Sequence, residues 1–328
     1  VFKVRKKQER LTLKICILGS GALGSTFGAV LSEAGHETWL LNRAGAHIDV
    51  MRHNGLVVIE DDVERSVSIN ATSRAEEVGA VDLLIVLVKS FATASAIADA
   101  TALVGPQTVV LSLQNGLGHE DLLTEAVGHD KVIAGKTYVG GVLLAPGRIR
   151  CGLEGKQTFI GELDGQVSAR VSHIAEVFRG AGLATTVSEN IRGTMWDKLL
   201  VNVSTGALTG ITMLTYGQLY SEPLMRETAL AAVAEAIAVA QAAGATLSLT
   251  EPEQVWNLAS AGLPSSFKTS MLQSLEKGSI TEIDFINGAV VRLGRRHGIA
   301  TPVNATLVAC VKGIERAMAD QQQEETKR

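Results

Sequence analysis

Gly19-Ser20-Gly21-Ala22-Leu23-Gly24 has the spacing of a phosphate cradle. It follows the apolar run Lys14–Leu18, opens an amphipathic helical pattern and is followed by a second apolar run at Glu37–Leu41. A GxGxxG turn in that βαβ context reads as a dinucleotide site. Gly19 permits the tight turn, Gly21 lets a pyrophosphate approach the backbone, and Gly24 lets helix and strand pack closely. Ser20, Ala22 and Leu23 belong to the same cradle, where free N–H groups and the positive end of the helix dipole face the anion. The competing reading is a glycine-rich turn that packs a helix and binds nothing. The end of the second strand selects the dinucleotide. An Asp or Glu there holds the ribose hydroxyls of NAD, but this chain has Asn42-Arg43. A carboxylate repels a 2′-phosphate and a guanidinium grips it in a fork. The expected cofactor is therefore NADP(H) rather than NAD(H), the alternative being a solvated Arg43.

Lys198 and Asn202 stand four residues apart on a helical pattern, so they share one face. Spacing alone leaves open a surface Lys beside Asp197 and an ordinary polar Asn. Lys89 ends the run VDLLIVLVK and Asn115 follows TVVLSLQ. The carboxyl ends of parallel strands line the ligand crevice of an open α/β sheet. The bland alternatives are a strand-end ammonium in water for Lys89 and an Asn-Gly turn without ligand for Asn115. Glu282 closes Ser279-Ile280-Thr281-Glu282, which fits a helix capping box as well as a site carboxylate. Ser270 reads as readily as a cap or surface hydroxyl. The seven His show no metal spacing, and no nucleophile–His–acid constellation is present. Trp196 and Trp256 read as packing residues, and Arg148 and Arg150 as solvated.

At 328 residues the chain has room for about two or three domains. Up to residue 190 apolar β-branched runs alternate with helical patterns. The runs are Lys14–Leu18, Glu37–Leu41, Asp82–Val88, Thr108–Leu113 and Lys131–Val139; the helical patterns include Ala22–Ala34 and Ser90–Leu103. This argues for an α/β fold, an N-terminal Rossmann-type doubly wound parallel sheet with helices on both faces. Leu56–Glu60 and Ser66–Asn70, separated by Asp61-Asp62, predict a hairpin. Short strands between Gly141 and Leu163 predict an antiparallel addition to the sheet. Past Glu189 helical periodicity takes over, at Ile191–Leu208, Pro223–Ala243, Ser270–Lys277, Glu282–His297 and Val303–Met318. The expected division is an extension over 1–13, a nucleotide-binding domain over 14–189, an all-helical domain over 190–319, and a flexible tail, DQQQEETKR, at the end.

A net charge of −4 argues against a nucleic-acid partner, which needs clustered positive charge. Three widely spaced Cys exclude a disulfide framework and suit a reducing cytoplasm. No apolar stretch reaches the ~18 residues of a membrane helix. The basic start, VFKVRKKQERLTLK, lacks the apolar run and cleavage site of a secretion signal. The Ala-rich stretch Thr228–Ala245 fits packing within one chain or across a homodimer.

Five further segments carry a family resemblance: LLIVLVKS (Leu83–Ser90), LSLQNGLG (Leu111–Gly118), MWDKLLVN (Met195–Asn202), PSSFKTSMLQSLEKG (Pro264–Gly278) and TEIDFINGAVV (Thr281–Val291). In this order and at these distances the chain resembles the ketopantoate reductase (2-dehydropantoate 2-reductase) family from Lys14 to about Met318. The resemblance implies a Rossmann domain, a helical domain, and NADPH-dependent reduction of a 2-keto acid, ketopantoate to pantoate in pantothenate biosynthesis. It implies Lys198 as general acid and Asn202 as a substrate-binding amide. By the same resemblance Glu282 orients Lys198 or holds substrate hydroxyls, and Ser270 donates to the substrate carboxylate. Lys89 and Asn115 then lie near nicotinamide and substrate. One departure matters: Gly206 stands where family members commonly carry a second Asn. That keeps a related 2-keto acid reductase or D-2-hydroxy acid dehydrogenase in play. A non-catalytic NADP-binding sensor is the alternative from another class.

Overall fold

The computed structural model describes residues 12–326, so the start of the basic N-terminal stretch lies outside the described residues. Eight strands form the main sheet, in the order Thr185–Val187, Thr158–Gly161, Val132–Thr137, Val109–Ser112, Leu83–Val86, Lys14–Leu18, Glu37–Leu41, Asn70–Thr72. Neighbours run parallel except Thr158–Gly161, which is antiparallel to Val132–Thr137. Strands buried on both faces must be apolar at successive positions. Lys14–Leu18 shows the division of labour. Ile15 and Ile17 point into a core with Phe27 and Phe178, while Cys16 and Leu18 pack on the other face with Ile97 and Leu123. The helices Ala22–Glu33 and Ala169–Gly180 cover the first face, where Phe27 and Phe178 meet edge to face with centroids 5.7 Å apart. Thr93–Asp99 and His119–Val127 cover the second.

The strand order reverses at Lys14–Leu18, which pairs with Glu37–Leu41 on one side and Leu83–Val86 on the other. In this register Leu18, Leu41 and Val86 end level. Gly19, Asn42 and Leu87 therefore leave the sheet together, and the crevice at such a reversal is where an α/β sheet binds its ligand.

Beyond the sheet, the 22-residue helix Ile191–Thr212 is the axis of a helical domain. Its start is fixed by Asn190, whose side chain accepts from the Gly193 N–H at 3.1 Å. Leu199, Leu200 and Val203 bury against Ala229, Ala232, Val233 and Ala236 of Pro223–Ala242. The Ala-rich face expected to pack within the chain or across a dimer is thus used within the chain.

Four expectations are corrected. The hairpin pairs Leu56–Glu60 with Val63–Val67 rather than with Ser66–Asn70, and Asn70–Thr72 joins the main sheet instead. The short strands after Gly140 split. Gly140–Ala145 and Arg148–Gly152 build a separate four-stranded sheet with that hairpin, and only Thr158–Gly161 extends the main one. Glu282 does not begin a helix: a 3-10 turn covers Ile283–Phe285 and the helix runs Asn287–His297. The segment from Asp320, expected as a flexible tail, continues the helix Pro302–Thr326.

Candidate active site

The glycine turn has the geometry of a cradle. Gly19 has φ +105°, and a Cβ there would lie 2.5 Å from the Val88 nitrogen. A Cβ on Gly24 would collide with the Gly19 carbonyl oxygen. Around Gly21 a Cβ would meet nothing within 4 Å, leaving open space above the backbone. The helix beyond has no acidic residue in its first turn and no side chain capping its free N–H groups. The Ser20 hydroxyl is buried without a hydrogen-bond partner. An uncapped helix start, an orphan hydroxyl and an open approach over Gly21 together fit a pyrophosphate. Ala22 and Leu23 supply the first helical N–H groups. Arg43 follows the second strand, exposed, its backbone N–H held by Asn42 Oδ1 at 3.0 Å.

Opposite the strand ends lies Lys198, on the long helix. Its ammonium donates to Asn115 Oδ1 at 2.8 Å and to the Thr137 carbonyl at 2.7 Å. The structure thus brings two expected residues, 83 positions apart, into one hydrogen bond. Burial pushes the Lys198 pKa down to about 8; Lys136 adds repulsion and Glu282 opposes it. Asp197, the neighbour that suggested a surface lysine, instead turns away and accepts from Ser248 N and Oγ and from Leu249 N.

Glu282 turns its side chain away from the capping-box position and toward Ser90 and Lys89. Its Oε1 accepts from the Ser90 hydroxyl at 2.6 Å and the Ser90 N–H at 3.1 Å, and its Oε2 lies 3.8 Å from Lys89 Nζ. No capping box forms. The same hydroxyl oxygen lies 3.2 Å from the Asn115 carbonyl, although its one proton is taken by the shorter contact to Glu282. The loop beyond Asn115 docks on the same segment: Leu117 N–H donates to the Phe285 carbonyl at 2.9 Å. Gly116, at φ +97°, sits so close to that carbonyl that a Cβ would strike it. Buried His119 stacks on Phe285 with centroids 4.7 Å apart and contacts the Asn115 carbonyl through Nε2 at 2.8 Å. Burial lowers its pKa. Lys89, Ser90, Asn115, Lys198 and Glu282 thus form one connected group.

Asn202 lies one helical turn beyond Lys198, and its amide has no partner among the described residues. Ser270 is exposed at the start of Ser270–Glu276; the cap is Thr269, whose hydroxyl accepts from the Leu272 N–H. That short helix packs on the long one around Gly206 and Gly210 through Met271. Among the described residues Ser270 makes no hydrogen bond to Lys198, whose ammonium is engaged by Asn115 and Thr137. Sequence reading missed Ser90 and His119, and also Lys136, a buried lysine whose ammonium donates to the Tyr138 hydroxyl at 3.2 Å.

Replacing Glu282 by Ala removes the acceptor for two Ser90 donors in a nearly closed place. Expected is a stability loss of about 1–3 kcal/mol, the cost of stranding a buried donor, with turnover down roughly tenfold. Glu282→Gln, which keeps an acceptor for Ser90, should recover most of the stability. Chemical denaturation and steady-state rates check this; an unchanged midpoint in the Ala variant would remove the tie.

Among the described residues no group of His, Cys, Asp and Glu is arranged to hold a metal ion, and no helix is long and apolar enough to cross a membrane. Residues 15–165 match the family described as Ketopantoate reductase PanE/ApbA, and residues 190–315 match its C-terminal part. A 2-dehydropantoate 2-reductase of Halobacterium salinarum is 35% identical over 305 residues, covering 93% of this chain and 99% of the relative. One of Archaeoglobus fulgidus is 33% identical, with 93% and 99% covered. The crystal structure of a PanE/ApbA family ketopantoate reductase from Ralstonia eutropha is 32% identical and superposes with TM-score 0.85, covering 93% of this chain and 99% of that one. A D-mandelate dehydrogenase solved with NADH and anilino(oxo)acetate is 26% identical, with the same coverage and TM-score 0.85. With both family segments matched in order along a Rossmann-like domain and a helical one, the chain belongs to the ketopantoate reductase family of oxidoreductases.

Proposed function

We propose that the chain reduces the C2 carbonyl of 2-dehydropantoate to pantoate, with NADPH as hydride donor and Lys198 as proton donor. The observation that carries this reading is the Lys198 ammonium, pinned by Asn115 Oδ1 and the Thr137 carbonyl at the strand ends. An ammonium has three N–H donors. Two are spent on these acceptors, and the third is left for the substrate oxygen. The bound nicotinamide supplies a hydride to the carbonyl carbon. The oxygen gains negative charge, and Lys198 stabilises it and passes it a proton. Burial favours the neutral amine that remains. Glu282 fixes Ser90 through its hydroxyl and N–H, and Ser90 packs 3.2 Å from the Asn115 carbonyl, so the carboxylate positions the segment beside the acceptor that orients Lys198. Asn202 offers a free amide to the substrate, and Ser270 a hydroxyl to its carboxylate. The turn from Gly19 to Gly24 seats the pyrophosphate, and Arg43 takes the 2′-phosphate. Three free thiols, Cys16, Cys151 and Cys310, suit the cytoplasm, where pantoate feeds pantothenate biosynthesis.

A second reading, a D-2-hydroxy acid dehydrogenase for a bulkier keto acid, is favoured by Gly206. A Cβ there would meet Met271 Cε at 3.7 Å, an ordinary contact, so the position tolerates a first side-chain atom that this chain lacks. The test is oxidation of NADPH and of NADH with ketopantoate, pyruvate, 2-ketoisovalerate, 2-ketoisocaproate and phenylglyoxylate. Preference for ketopantoate supports the first reading, and preference for phenylglyoxylate the second. Gly206→Asn is expected to raise the ketopantoate-to-phenylglyoxylate ratio of kcat/KM by about tenfold, the worth of one hydrogen bond plus lost space. An unchanged ratio would take position 206 out of the site.

A further inference from the structure

We propose that Lys136 is a positioning residue for the reaction, a second ammonium fixed against Tyr138 and Phe159 whose charge sets how readily Lys198 gives up its proton. The inference rests on the reading of Lys198 as proton donor. Lys136 lies on Val132–Thr137, where side chains alternate between faces. Thr137 turns one way, to the Thr158 hydroxyl at 2.8 Å. Lys136 turns the other, with Ala134, toward the helical domain. Phe159 stands opposite it in the antiparallel ladder, its ring centroid 5.1 Å from the Lys136 ammonium. The Tyr138 ring lies 5.1 Å from the same ammonium, and its hydroxyl accepts the hydrogen bond.

Lys198 approaches the same ring. Its ammonium is 5.6 Å from the Tyr138 centroid and is bonded to the carbonyl of Thr137, the residue between Lys136 and Tyr138. Two ammonium groups therefore share one aromatic ring and one tripeptide. Lys136 is only 6% exposed and forms no ion pair among the described residues. The charged groups that face the pair are few. Asp197, on the long helix, attracts Lys136, but its oxygens are occupied by Ser248 and Leu249. Glu282 attracts Lys198 from the far side while engaged with Ser90. Tyr138 is neutral at working pH, its pKa raised by burial and by Asp197. The repulsion between the lysines is thus only partly offset. Burial brings the Lys136 pKa down to about 8 as well, while Asp197 opposes the fall. A buried charge without a counter-ion is costly; here the cost makes its neighbour a better acid at neutral pH.

The test is the pH profile of kcat/KM for keto-acid reduction by NADPH, in the full chain, for Lys136→Met, Lys136→Gln, Lys136→Arg and Lys198→Ala. The wild-type rate falls at alkaline pH as Lys198 loses its proton. Removing the neighbouring charge raises the Lys198 pKa, so the alkaline limb of the Met and Gln variants should move up by about one pH unit. Lys136→Arg should bring it back, because the charge is restored. Two neutral side chains of different polarity keep the test readable if one of them fails to fold. A limb that stays in place in both, a shift that Arg shares, or a uniform fall in rate at every pH with the limb fixed would overturn the inference. A Lys198→Ala variant that keeps its turnover would overturn the underlying reading instead.

Discussion

Lys198→Ala should lower turnover of the preferred keto acid by ~10²–10⁴-fold, the usual range for losing a positioned general acid. NADPH affinity should change little, because the Gly19–Gly24 turn and Arg43 sit on elements that Lys198 does not touch. Lys198→Arg sharpens the test. A guanidinium keeps the charge but holds its proton too tightly to give it up near neutrality, so this variant should stay nearly as slow as Ala. With a Lys198 pKa of about 8, the protonated form is the competent one for reduction, and the rate should decline as pH rises through that value. In the reverse direction, alcohol oxidation, the neutral amine is competent and the limb should invert. Steady-state rates in both directions, with NADPH binding followed by fluorescence, decide this. Turnover of the Ala variant within a few-fold of wild type would remove Lys198 from the chemistry.

What was legible in the sequence is what depends on near neighbours. The Gly19–Gly24 pattern is recognisable from its own strand and helix, and Gly24 is required by the Gly19 carbonyl and Ile17 close by; the crowding at Gly19 by Leu87 and Val88, from a distant strand end, is seen only in the fold. The pairing of Lys198 with Asn202 needs only the helical period. The contacts of Glu282 are not legible locally because its partner, Ser90, lies 192 residues away. The capping-box pattern failed because Glu282 was drawn into that contact. Lys136 gave no signal at all. A lysine near the end of an apolar strand reads as a side chain reaching water, and only the packing of Phe159 and Tyr138 shows that it is enclosed. The second sheet was misread for a similar reason: Arg148–Gly152 aligns beside Leu56–Glu60 across a long separation that local turn signals cannot carry. Up to Thr326 the polar end shows that absence of apolar residues is not absence of structure: Gln and Glu are good helix formers and nothing there breaks a helix.

Arg43→Ala should raise the KM for NADPH by about 10–100-fold, the loss of a charge-assisted fork worth ~1.5–3 kcal/mol. The KM for NADH should change less than about twofold, because NADH lacks the phosphate. The asymmetry follows from the strand end. The Arg43 guanidinium is exposed and has no ion-pair partner among the described residues. The preceding Asn42 uses its side-chain oxygen to hold the Arg43 N–H at 3.0 Å, fixing the turn without adding a carboxylate. Arg43→Asp should go further and reverse the preference, since it adds repulsion for the phosphate and an acceptor for the ribose hydroxyls. An exposed cation–phosphate contact is screened by salt. Raising ionic strength should therefore narrow the wild-type preference for NADPH over NADH and leave the residual preference of Arg43→Ala nearly constant. If the two cofactors respond alike to Arg43→Ala, the phosphate is held elsewhere, and the salt dependence of the variant should then match that of the wild type.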